Sequence, residues 1–106
     1  MDLACGALDC IGVAVEGLRR LGMPAAAAAL LAVSDGEPRD GAWAPVDRAA
    51  ARVGDVVLTE TARGPHVGVV VSLSPTLVLS SAEAVGGYVL PLRRLAGKVQ
   101  VYRAAP

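Results

Sequence analysis

Apolar residues recur at Ile11, Val15, Leu18 and Leu21, a spacing that lines one side of a helix, while Glu16 and Arg20 stand four apart as an ion pair. Asp9 suits the N-cap of that helix and Gly22 its end. Pro24 fits the first turn of a second helix, Ala25 to about Val33, closed by Ser34-Asp35-Gly36. From Glu37 to Pro45 the mixture of Pro, Gly and charge predicts a loop, with Trp43 turned back onto the core, and a short helical turn follows over Val46 to Ala51. After Gly54-Asp55 the pattern changes to β-branched runs: Val56 to Thr59, Val67 to Ser72, Leu77 to Ser80, Tyr88 to Leu90 and Val99 to Tyr102. Arg63-Gly64-Pro65, Ser74-Pro75 and Gly86-Gly87 supply turns between them. Helices first and an antiparallel meander afterwards predict an α+β domain, with N-terminal helices packed on a sheet of about five strands.

Length and composition narrow the function classes. The 106 residues fit one domain, residues 1–106, without internal repeat or linker. Formal net charge is zero and no basic run is interleaved with aromatics, so no nucleic-acid surface is expected. Aromatics are limited to Trp43, Tyr88 and Tyr102, which leaves Ala, Val and Leu to build the core. Cys5 and Cys10 do not make a disulfide framework, and with a single histidine they complete no familiar zinc set, so neither metal nor cofactor is expected. Met1-Asp2-Leu3-Ala4 lacks the basic-then-apolar pattern of a secretory leader, and Ala25 to Val33 is too short to span a bilayer. No export signal and no membrane insertion are expected.

Two short segments carry candidate chemistry. In Leu8-Asp9-Cys10-Ile11-Gly12 the cysteine falls in the first helical turn, where unpaired N–H groups and the positive end of the helix dipole favour a thiolate and would hold an oxyanion. In Gly64-Pro65-His66-Val67-Gly68-Val69-Val70-Val71 the only histidine stands at the mouth of an apolar strand, and Gly68 shares its face without a side chain, leaving room beside the ring. Thiol and imidazole are the nucleophile and general base of a cysteine hydrolase. Such a base needs a third group to orient it. If the strands flanking Ser74-Pro75 pair as a hairpin, an even sum of paired residue numbers brings Ser80 onto the face of His66, and an odd sum brings Ser81.

The order Asp-Cys-hydrophobic-Gly at Asp9 to Gly12, Gly-Asp-Val-Val-Leu at Gly54 to Leu58, and His66-Val67-Gly68-Val69-Val70-Val71 resembles the NlpC family of papain-like cysteine peptidases, over nearly the whole chain. The resemblance implies a papain-like fold in which Cys10 is the nucleophile, His66 the base and Ser80 the orienting residue. It implies that Asp9 contacts the free amine of the substrate, a stem peptide of bacterial peptidoglycan. Ser80 stands where the family has His, Asn or Gln, and no aromatic residue precedes Cys10. Short versions of this domain occur at the tail tips of bacteriophages, which implies tail or baseplate proteins as partners and a place in the virion tail or bacterial cytoplasm, acting at the cell wall.

Each residue also has a plainer role. Cys10 suits a buried small apolar side chain, Asp9 a cap alone, His66 a satisfied strand residue and Ser80 a hairpin polar group. The alternative to an active hydrolase is therefore a non-catalytic module of the same fold in a tail tip or similar assembly, with the apolar Ala25 to Val33 helix as a docking surface.

Overall fold

A computed structural model describes residues 10–31, 43–61, 64–82, 86–95 and 98–104. Asp9, Cys5, the Ser34-Asp35-Gly36 stop, Arg63 and the Ile11 side chain lie outside the described residues. The described chain is α+β, with two helices and six strands in one antiparallel sheet. Helix α1 is Cys10–Arg20 and helix α2 Pro24–Leu31. The strands are β1 Trp43–Val46, β2 Val56–Thr61, β3 Gly64–Ser72, β4 Leu77–Ala82, β5 Gly86–Pro91 and β6 Val99–Ala104. Their order across the sheet is β1-β6-β2-β3-β4-β5. Strands β2 to β5 thus form the expected meander, and β6 returns to pair with β2.

The sixth strand corrects the loop expected up to Pro45. Trp43–Val46 pairs with β6 at the sheet edge, where a proline's missing N–H breaks no interior ladder, so a segment that looks like loop by composition extends the sheet. The helical turn expected over Val46 to Ala51 is a 3₁₀ turn at Arg48–Ala50. Gly64 and Pro65, expected in a turn, belong to β3 opposite Thr61 and Glu60, so His66 is the third residue of its strand.

Local chemistry accounts for the helix pair. Gly22 has φ +76°, its N–H donates to the Arg19 carbonyl at 3.0 Å, and the Met23 N–H reaches back to Leu18 at 3.0 Å. These two bonds close α1 in a Schellman turn that a residue with a side chain adopts only under strain. Ala14, Val15 and Leu18 of α1 and Ala26, Ala27 and Leu30 of α2 are buried, with Trp43, against Val56, Leu58, Val67 and Val69 of the sheet. Each fully buried Leu or Val here contributes about 1.5–3 kcal/mol of transfer free energy. The Glu16–Arg20 pair forms at 3.1 Å but is largely exposed, so its contribution is small.

The opposite face of the sheet has its own core: Val57, Val70, Val78 and Val101, capped by Leu92 from a 3₁₀ turn, Leu92–Arg94, with Val46, Ala51, Leu90, Leu95 and Val99 around it. Burial on both faces explains why Val67 to Val71 is apolar without alternation. Asp55, also buried, accepts the Arg52 N–H at 2.8 Å and two guanidinium bonds from Arg103 at 2.9 Å, tying the β2 entry to β6. That forked, charge-assisted geometry clamps the two strands together. The hydrogen bond to Asp55 also holds the Arg103 guanidinium above its ordinary pKa.

Gly68 is where β3 and β4 approach most tightly: a Cβ there would stand 2.6 Å from Val78 Cγ1 and 2.9 Å from the Leu79 carbonyl oxygen. The carbonyl belongs to the backbone and cannot turn aside. Gly68→Ala is therefore expected to destabilise the fold by about 1–3 kcal/mol, measured by denaturant unfolding. A change within experimental error would mean that the two strands are not packed this closely.

Candidate functional site

The register of β3 against β4 decides which side chains meet. Val69 pairs with Leu79 and Val70 with Val78, so paired numbers sum to an even value over this stretch, and the irregularity that breaks the ladder comes later, between Val70 and Ser72. Even-numbered residues of the two strands share a face, which sets His66, Gly68 and Ser80 together. His66 Nε2 lies 2.6 Å from Ser80 Oγ. The contact is a diagonal one that passes over Gly68, the residue without a side chain; the room beside the ring is filled by Ser80. Of the two hydroxyls left open by the sequence, Ser80 is the one that meets the ring; the Ser81 side chain lies outside the described residues.

Burial sharpens this contact. Ser80 is only 2% exposed, whereas His66 is partly exposed. Thr59, 5% exposed, stands opposite His66 on β2 and shares its face, a neighbour that no single-strand pattern identifies. Desolvation lowers the His66 pKa below its ordinary value near 6.5, because burial takes water away from the imidazolium. The ring is therefore neutral at neutral pH.

The helix bearing Cys10 approaches from the other side. Gly17 packs against Leu79, and Gly87, which pairs with Ser81, faces Val13. Moving four residues back along α1 thus advances two residues along β4, a step of about 6 Å by either geometry. One further turn back along α1 reaches Cys10, its first residue. The Cys10 thiol and Asp9 themselves lie outside what the structure describes. Leu79, Val67 and Val69, which face α1, are odd-numbered, whereas His66 and Ser80 belong to the even series on the opposite face. The helix and the imidazole therefore lie against opposite faces of the sheet.

An apolar groove of about 290 Å³ runs beside α1, lined by Gly12, Val13, Glu16, Gly17, Arg20 and Leu79. It begins two residues from Cys10. Among the described residues no group of three or more His, Cys, Asp or Glu could hold a metal ion, and no helix is long and apolar enough to cross a membrane. No protein-family model, curated protein or solved structure matches the chain.

The depressed His66 pKa couples protonation to folding. The unfolded chain binds the proton more readily than the folded one, so this residue's contribution is complete above about pH 6.5 and is lost as pH falls through that value toward the lowered one. Between about pH 7.5 and about pH 5.5 the wild type should lose more unfolding free energy than His66→Asn, which keeps a polar side chain and does not titrate. Equal losses in the two proteins would show that burial does not penalise the imidazolium.

Proposed function

We propose that the chain is a cysteine hydrolase with a papain-like NlpC fold, an endopeptidase or amidase that cleaves peptidoglycan stem peptides as part of a bacteriophage tail or a cell-wall-degrading assembly. The observation that carries this reading is the 2.6 Å His66–Ser80 hydrogen bond on adjacent strands, in a chain whose first described helix begins at Cys10. In this reading His66 Nδ1 takes the proton of Cys10, and the sulfur attacks the scissile carbonyl. Helix N–H groups hold the oxyanion, His66 returns the proton to the leaving amine, and water then releases the acyl group. Ser80 orients the ring through Nε2, and Asp9 receives the free amine of the stem peptide.

A second reading rests on the placement of His66 and Ser80 on the face away from α1. In it the same domain is a non-catalytic module of a tail tip, and the pair serves only to satisfy the buried Ser80 hydroxyl.

Incubation of the purified protein with muropeptides, followed by mass analysis, separates the two. The hydrolase reading expects release of a defined peptide fragment by the wild type and none by Cys10→Ala. It also expects alkylation of Cys10 near neutral pH to slow by roughly 10²–10⁴ in His66→Ala, the range of a lost general base. Equal alkylation rates, with no fragment released, would support the structural module.

A further inference from the structure

The Ser80 hydroxyl has one hydrogen-bond partner among the described residues, His66 Nε2, and at 2% exposure it has little access to water. A hydroxyl both donates and accepts, but its single hydrogen must point somewhere. If Nε2 carries the ring proton, it donates to Ser80 Oγ and the hydroxyl hydrogen finds no acceptor among the described residues. If Nε2 carries a lone pair, the hydroxyl donates to it, the buried hydrogen is satisfied, and the ring proton sits on Nδ1. The second arrangement leaves no buried donor unpaired.

We propose that Ser80 holds neutral His66 as its Nδ1–H tautomer by donating its hydroxyl hydrogen to Nε2, and so acts as a positioning residue that keeps the site at rest. The consequence for catalysis rests on the hydrolase reading: Nδ1, the nitrogen left for Cys10, already bears a proton and cannot accept another while the ring is neutral. The working form requires the proton to leave Nδ1 and a proton to occupy Nε2, with the Ser80 hydroxyl turned to accept it. An amide at position 80 would satisfy an Nε2–H donor without this conflict, whereas a buried hydroxyl with no second acceptor among the described residues opposes it.

The chain contains a single histidine, so its ring nitrogens give one unambiguous set of ¹⁵N resonances. In the intact protein above about pH 7.5, where the ring is neutral, Nε2 is expected to resonate as an unprotonated nitrogen and Nδ1 as a protonated one, the Nδ1–H form exceeding the other by roughly tenfold. Ser80→Thr, which keeps the hydroxyl, should retain that pattern, and Ser80→Ala should shift it toward Nε2–H. A protonated Nε2 in the wild type overturns the inference, as does a pattern unchanged in folded Ser80→Ala; where that variant fails to fold, the wild-type spectrum decides alone. The readout does not involve Cys10 or substrate, so loss of the hydrolase reading leaves the tautomer result standing, and an active enzyme with Nε2–H refutes only the tautomer.

Discussion

The site depends on the pairing of β3 with β4. A shift of one residue between them would exchange the faces of every side chain on one strand, setting Ser81 in place of Ser80 on the face of His66. That pairing is held from both sides of the sheet. Val67 and Val69 are buried under the helices, and Val70 and Val78 lie in the second core, so a slip would break the packing of both cores at once. Gly68 reinforces the arrangement, because the close approach of the two backbones at this point and the passage of His66 toward Ser80 both need a residue without a side chain.

The hydrogen bond exacts a chemical compromise. Among the described residues the buried Ser80 hydroxyl, joined to a neutral imidazole, is satisfied in only one direction, and reversing it leaves its hydrogen without an acceptor at about 1–3 kcal/mol. The same burial that protects the pair from water depresses the His66 pKa and keeps the ring uncharged. An imidazolium beside a thiolate requires the opposite electrostatics, so a sulfur anion approaching the end of β3 would itself have to supply the compensating charge. In the hydrolase reading, fold stability and catalytic readiness pull on this residue in different directions.

Much of this was legible before any coordinates. Helical spacing in α1, the Gly22 stop, the Pro24 start and the return of Trp43 to the core each follow from a local rule, and each is present. The β-branched runs located five strands correctly in type, with ends that differ by a few residues. Trp43–Val46 escaped because its proline and glycine neighbours carry the signature of a loop; only the free edge of β6 makes it a strand. The Asp55–Arg103 clamp escaped because its members stand 48 positions apart and no periodic pattern connects them. For the His66–Ser80 pair the candidates could be narrowed to two hydroxyls, and the choice between them required the register. That α1 and His66 lie on opposite faces was not legible, since a side chain's parity says nothing of which face a distant helix will cover.

The account stands on the coupling of His66 to Ser80 across Gly68, and a double-mutant cycle for unfolding free energy with His66→Phe, Ser80→Ala and their combination measures it directly. A coupling energy of about 0.5–1.5 kcal/mol, the range for a neutral hydrogen bond shielded from water, is the expected result. Additive effects, with no coupling beyond error, would contradict it and show that imidazole and hydroxyl do not share a face of the folded sheet.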